Sequence, residues 1–176
     1  RSALAYIDED IPIGSGRCLI EPMIIARLIQ ATEIQADDVV LDVASGAGYS
    51  AAVLGRIARA VVAVESDADL VRRLSERMTE HGMDNVMVEQ GDIANGWPDQ
   101  APYDVILLNG ACREVPASLI DQLAEGGRLC AVTDGEVGVG SARLWTKNNG
   151  GVSSRPLFDA NTPILPELER EAGFTF

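Results

Sequence analysis

Short apolar runs rich in β-branched residues alternate along this chain with stretches whose apolar positions recur every three to four residues. Val39 to Val43, Val61 to Glu65 and Val86 to Gln90 have the makeup of strands buried on both faces. Tyr103 to Leu108 and Arg128 to Val132 continue the series. Helices are predicted between them. One begins with Pro22 in the first turn after Glu21 and runs to about Thr32, and another spans 50 to 58. A third covers 68 to 81, N-capped by Asp67, with Leu70, Val71, Leu74 and Met78 on one face and Gly82 as its stop. The fourth covers 116 to 124 and opens on Pro116. Strictly alternating strands and helices predict an α/β domain, a mostly parallel sheet with helices on both faces. The end differs, because Ala142 to Lys147 and Val152 to Phe158 flank Asn148-Asn149-Gly150-Gly151, the makeup of an antiparallel hairpin. Residues 6 to 17, with Pro12, Gly14 and Gly16, read as a loop or short turns. The tail from Asn161 reads as a loop with one short terminal helix.

The chemistry gathers at strand ends. Asp42 lies inside the first strand and the small residues Ala44-Ser45-Gly46-Ala47-Gly48 follow it, a turn on which a bulky ligand can sit close to the main chain. Gly46-Ala47-Gly48-Tyr49-Ser50-Ala51 also meets the loose spacing of dinucleotide sites, so the turn alone does not choose a ligand. Glu65 ends the second strand, where an acid commonly accepts both ribose hydroxyls, and Asp92 follows the third. A carboxylate as close to the turn as Asp42 repels a pyrophosphate and attracts an ammonium or sulfonium. The ladder Asp42, Glu65, Asp92 therefore favours S-adenosyl-L-methionine over NAD, with Ser45 and Ser66 as polar neighbours and Ile93 as an apolar wall.

These residues also carry a resemblance. Asp-x-x-x-Gly-x-Gly after a strand, an acid ending the next and Gly91-Asp92 after the third resemble the class I S-adenosylmethionine-dependent methyltransferases. Gly46-Ala47-Gly48-Tyr49-Ser50-Ala51-Ala52-Val53-Leu54 is similar to the turn of protein-L-isoaspartate O-methyltransferases. So are Asp84-Asn85-Val86, Gly96-Trp97-Pro98, Ala101-Pro102-Tyr103-Asp104, the Leu123 to Leu129 segment with Gly126-Gly127-Arg128, and upstream Ile11-Pro12-Ile13-Gly14 and Glu21-Pro22. The resemblance covers roughly residues 6 to 166. It implies a three-layer Rossmann-like methyltransferase sandwich forming a single domain over 1–176, S-adenosyl-L-methionine as cofactor, and a carboxylate of damaged protein or peptide as acceptor. It further implies a cofactor set of Asp42, Ala44, Ser45, Gly46, Gly48, Glu65, Ser66, Asp92 and Ile93. In the family a helical segment precedes the residues matching Tyr6 to Gly16, so a chain beginning at Arg1 is expected to lack part of its native start.

Two departures bear on activity. Where the family has a serine beside the transferred methyl group, this chain has Ile20, in Gly16-Arg17-Cys18-Leu19-Ile20-Glu21-Pro22, which cannot donate to a substrate carboxylate. Ser15 is a candidate substitute hydroxyl. Ala44 replaces the first glycine of the turn, adding a methyl group and resisting a positive φ. Two alternatives therefore stand beside isoaspartyl methylation: a different acceptor, or a cofactor-binding regulator without turnover. No catalytic residue is assigned, since a carboxylate acceptor is already ionised at neutral pH and proximity suffices. His81, the one histidine, falls at a helix C-terminus, and Cys112 is a candidate only for lining the acceptor pocket.

Composition sets outer limits. A net charge of −13 over 176 residues disfavours a nucleic-acid partner. Cys18, Cys112 and Cys130 suit neither a disulfide framework nor a zinc site, and no metal site is expected. With no apolar run of membrane-spanning length and no signal-peptide pattern, a cytoplasmic protein without a membrane partner is expected. The sequence leaves oligomeric state open.

Overall fold

A computed structural model describes residues 9–134 and 139–169. Seven strands form the main sheet: β3 (Val39–Val43), β4 (Ala60–Glu65), β5 (Val86–Gln90), β6 (Tyr103–Cys112), β7 (Leu123–Thr133), β8 (Ser141–Asn148) and β9 (Gly151–Asp159), in the order β5-β4-β3-β6-β7-β8-β9. The first five in that order pair in parallel, and β8 and β9 add antiparallel strands at one edge. Asn149 and Gly150 turn the β8–β9 hairpin with φ of 52° and 72°, two positive values that match the strands' twist. The α/β class, the parallel core and the terminal hairpin are as the sequence predicts.

Strand periodicity sorts the core into two faces. Val40, Val61, Val105 and Leu107 pack against Ile24, Ile25, Leu28 and Ile29 of α1 (Pro22–Ala31) and Leu54 of α2 (Tyr49–Gly55). Ala63 on the same face meets Leu74 and Met78 of α3 (Ala68–Glu80). The alternate residues Leu41, Val43, Val62, Val64, Ile106 and Leu108 face the other way, onto Leu119 of α4 (Ala117–Asp121), Ile93 and Leu165. Asp67 caps α3 by accepting from the Leu70 N–H at 2.9 Å, as its position predicts.

Several boundaries differ from the sequence reading. Residues Ile11–Gly14 and Arg17–Leu19 are an antiparallel hairpin, β1 and β2, rather than a loop. Its reversal is possible because Gly14, Ser15 and Gly16 all take positive φ. Helix α2 ends at Gly55 instead of 58, since Ile57 and Ala58 turn back onto the Leu54 carbonyl. Helix α4 stops at Asp121 because Gln122 already gives its carbonyl to Tyr103 N–H, at 2.8 Å, which starts β7 early. Strand β6 runs on to Cys112, where Ala111 pairs with the tail through Pro163 and Leu165. Among the described residues the tail's helical piece is a 3₁₀ turn, Pro166–Leu168; residues 6 to 8 and 170 onward lie outside the described residues.

One side chain fastens the N-terminal ends of the central strands to α1. Arg128 donates to the carbonyls of Thr32 (2.6 Å) and Glu33 (2.9 Å) beyond α1 and to Asp38 Oδ2 (2.7 Å) just before β3. Arg128 and Asp38 are both largely shielded. Replacing Arg128 by Met should cost about 1–3 kcal/mol in urea unfolding, because it removes the charged partner of Asp38, which keeps only the Gln35 N–H, and leaves the Thr32 carbonyl without its donor. A loss below about 0.5 kcal/mol would mean the guanidinium is not a fastener.

Candidate functional site

The side-chain period of two puts three polar residues in one row. Asp42 follows Val40, Glu65 follows Val61 and Ala63, and Asn109 follows Val105 and Leu107, so all three stand on the face covered by α1, α2 and α3. They occupy the carboxyl ends of the adjacent strands β3, β4 and β6. The chain winds outward in one direction from β3 to β5 and in the other from β6, so the gap between β3 and β6 is the switch point where open α/β sheets bind ligands.

Asp42 has no exposure to solvent, and its carboxylate is satisfied by neighbours. Oδ1 accepts from Asn109 Nδ2 at 2.7 Å; Oδ2 accepts from Ser50 Oγ at 2.8 Å and Ser45 Oγ at 2.7 Å. Ser45 has one hydroxyl hydrogen, which can go instead to the Asp42 carbonyl at 2.8 Å. Burial pushes the Asp42 carboxyl up from 3.8 to about 6, against the opposing pull of the Ser45, Asn109 and Ser50 hydrogen bonds.

Glu65 is also fully buried. Its Oε2 accepts the Gly46 N–H at 2.9 Å, which ties the strand end to the glycine turn. Its Oε1 accepts the Ser66 N–H at 2.8 Å and forms a 3.0 Å ion pair with Arg17 Nη2, from strand β2. The same nitrogen lies 2.8 Å from Glu167 Oε1 and 3.0 Å from Ser66 Oγ.

A cavity of about 180 Å³ opens beside the turn, lined by Ala44, Ser45, Gly46, Ala47, Tyr49 and Ser50 on one side and by Ile13, Cys18, Leu19, Ile20 and Ile25 on the other. Asn109, Arg73 and Arg77 complete the wall. Arg73 donates to the Ile13 carbonyl (2.8 Å) and Arg77 to the Ala47 carbonyl (2.6 Å). A larger open groove, about 630 Å³, lies between α4 and the β8–β9 hairpin beside Arg113, Arg143 and Trp145; no glycine-turn residue borders it.

Of the residues singled out in the sequence, Ala44, Ser45 and Gly46 line the cavity, and Asp42 stands directly behind them. Gly48 does not. It caps α2 at φ 91°, and Leu74 fills the space where a side chain would go. Ser66 lies outside the cavity and donates to Glu167 at 2.6 Å. Asp92 is solvent-exposed and accepts from Ala94 N–H and Asn95 Nδ2 of its own turn, while Ile93 is buried in the opposite-face core. The three-acid ladder is therefore two buried acids in one row and a third outside it. Ala44 does adopt a positive φ, 57°, contrary to expectation; its methyl group packs into the apolar cluster under the turn, which offsets a backbone cost of about 1 kcal/mol.

Ser15 is no substitute for the missing serine, because it donates to Asp67 at 2.7 Å and does not border the cavity. Ile20 does border it and is buried. Cys112 is sealed in the core with its thiol pushed up to about 12 by burial, and it does not border the cavity. His81 ends α3 at the surface, as expected. Ser50, Asn109, Arg17, Arg73 and Arg77 also belong to the site and are not among the residues that the sequence marks. The signal for Asn109 was present, as the first polar residue after an apolar strand adjacent to β3. Arg17 and the α3 arginines reach the site only through tertiary packing.

Comparison with known proteins places these features in a family. The model of the protein-L-isoaspartate(D-aspartate) O-methyltransferase family matches residues 1–156. The chain is 42% identical over 127 residues to protein-L-isoaspartate O-methyltransferase 2 of Anaeromyxobacter sp., covering 72% of this chain and 52% of that protein. It is 41% identical over 128 residues to the Methanoculleus marisnigri protein-L-isoaspartate O-methyltransferase, covering 73% and 58%. The chain thus spans about half the length of the curated relatives it matches. Among solved structures, a protein-L-isoaspartate O-methyltransferase superposes with a TM-score of 0.85 at 23% identity, covering 96% of this chain and 56% of the other. A Plasmodium falciparum protein-L-isoaspartate O-methyltransferase in complex with S-adenosyl-L-homocysteine gives 0.75 at 24% identity, covering 92% and 82%. At these identities the structural likeness establishes the shared fold.

The Asp42 environment yields a pH prediction. A buried acid whose pKa is raised to about 6 keeps its proton between pH 4 and 6 while the unfolded chain releases it, so its contribution to stability falls as pH rises through that window. The stability of Asp42→Asn relative to the parent should therefore rise by about 1 kcal/mol between pH 5 and 7.5 in urea unfolding. A pH-independent difference would place the Asp42 titration elsewhere.

Proposed function

This chain belongs to the protein-L-isoaspartate(D-aspartate) O-methyltransferase family, and on that premise we propose that it binds S-adenosyl-L-methionine and methylates a carboxylate of damaged protein or peptide. The observation that carries the reading is the row of Asp42, Glu65 and Asn109 at the switch point. Ser45 and Ser50 turn their hydroxyl hydrogens toward Asp42, so their oxygen lone pairs are left for the cavity. Asn109 spends its amide N–H on Asp42 and the Val43 carbonyl, which leaves its own carbonyl oxygen free. The cavity therefore offers neutral acceptors backed by a carboxylate one hydrogen bond behind, a setting that suits an ammonium or sulfonium. A space of 180 Å³ takes the amino-acid end of such a cofactor, against the roughly 300–1,000 Å³ of small-molecule sites. The nucleoside end belongs beside Glu65, with Ser66 near it. Asp92 and Ile93 beyond β5 mark the side on which the proposed adenine contact would fall.

When bound, S-adenosyl-L-methionine supplies an electrophilic methyl group. The chain's own residues orient and desolvate. Arg73 and Arg77 each use one donor on a backbone carbonyl and keep others for an incoming carboxylate at the cavity wall. An ionised carboxylate needs no base, so alignment and exclusion of water account for the rate. Ile20, Leu19 and Ile25 supply the dry wall. The acidic surface, net charge −13, favours a protein or peptide acceptor over a nucleic acid, and among the described residues no helix is long and apolar enough to cross a membrane.

Ile20, which borders the cavity, supports a second reading, a family member with another acceptor or a binder without turnover, because it stands where the family resemblance implies a serine and cannot donate to a substrate carboxylate. A radiolabelled methyl-transfer assay on an isoaspartyl peptide distinguishes the readings. Label above the Asp42→Ala and Glu65→Ala controls is predicted, rising about tenfold in Ile20→Ser, a barrier change of about 1.4 kcal/mol. Background labelling alone, with cofactor binding intact, would remove the repair assignment.

A further inference from the structure

We propose that Arg17 is a built-in competitor for ligand hydroxyls at Glu65, carried on the β1–β2 hairpin, which must swing away before an adenosyl ligand can bind. The proposal rests on the cofactor reading above and adds to it a gate.

Two contacts place the hairpin inside the cleft. Arg17 and Glu65 pair at 3.0 Å with side-chain exposures of 3% and 0%, so no ligand reaches the acid while the pair holds. Ile13, on the first strand of the hairpin, stands so close to Gly46 that a Cβ built there would lie 2.7 Å from Ile13 Cδ1. The glycine that lets a ligand approach the main chain is thus crowded on one side by the hairpin itself. The hairpin closes the nucleoside end of the proposed cofactor path at Glu65 and narrows the approach to Gly46 beside the open cavity.

The closure is fastened and also carries an unmet cost. Ser15 at the hairpin tip donates to Asp67, and Arg73 donates to the Ile13 carbonyl. From the tail, Glu167 holds Arg17 at 2.8 Å, and Pro166 packs against Gly16. Yet Arg17 Nη2 faces three acceptors with only two hydrogens, while Nη1 is buried with no hydrogen-bond partner among the described residues. An unsatisfied buried donor penalises the closed pose. Ligand hydroxyls can take the Arg17 position on Glu65, while the released guanidinium regains water. Closed and open hairpins then form a two-state equilibrium that the ligand biases by binding only one of them.

Calorimetric titration of S-adenosyl-L-homocysteine into the parent, Arg17→Gln and Glu167→Gln tests the gate, with circular dichroism confirming that each is folded. Removing a competing closed state should lower Kd by about tenfold in Arg17→Gln and about threefold in Glu167→Gln. Glu167 is partly exposed, so its variant decides the matter if Arg17→Gln does not fold. Binding by the parent with an unchanged or raised Kd in the folded variants would overturn the gate and leave the cofactor reading standing. No binding by any of the three would overturn both.

Discussion

The Asp42 carboxylate sits near the end of the central strand with no access to water, and its surroundings must supply every donor it needs. Three come from three elements: Ser45 from the glycine turn, Ser50 from the first turn of α2, and Asn109 from the neighbouring strand β6. Each is held where it is by the acid, so the turn, the helix and the strand gap have one common anchor. Burial raises the Asp42 pKa to about 6 rather than further because these donors offset much of the desolvation. What faces the cavity on the Asp42 side is then a set of neutral oxygens backed by a buried negative potential, suited to a cation, while Arg73 and Arg77 bring positive charge to another part of the wall.

The architecture was written plainly in the chain. Runs such as Val61 to Glu65 and Val39 to Val43 are apolar at consecutive positions because both faces of a parallel strand are covered, and Asn149-Gly150 specifies a hairpin through its backbone preferences. Boundaries were less legible where pairing partners are far away in sequence. Strand β6 extends to Cys112 because the tail near Pro163 and Leu165 pairs with it, and α4 is short because β7 claims Gln122. The β1–β2 hairpin was hidden by its Gly14-Ser15-Gly16 turn, which reads equally as a loop.

The site was half legible. Asp42, Ala44, Ser45 and Gly46 could be placed from strand, turn and spacing alone, since these are local features. Asp92 was grouped with Asp42 and Glu65 because all three follow strands, but it lies past the end of β5 and turns back to bond its own loop. Nothing local marks Arg17 as buried, since it stands in a short glycine-bounded segment. Its burial depends on Glu65, 48 positions away, and Glu167, 150 away. The acid that the sequence marks as a ligand contact is therefore also the acid that holds the hairpin down.

Glu65, bound to the glycine turn on one oxygen and to the hairpin on the other, gives the cleft two unlike halves. At the β3–β6 gap the Asp42 carboxylate is held by the glycine turn, α2 and β6; at β4 the Glu65 carboxylate is held in part by Arg17 of the β1–β2 hairpin. Amide hydrogen exchange with and without S-adenosyl-L-methionine tests most directly whether these halves form one ligand site. Slowed exchange confined to residues 44–50 and 64–67 at the ends of β3 and β4 is the predicted result; protection in the groove between α4 and β8–β9, or at none of these segments, would contradict it.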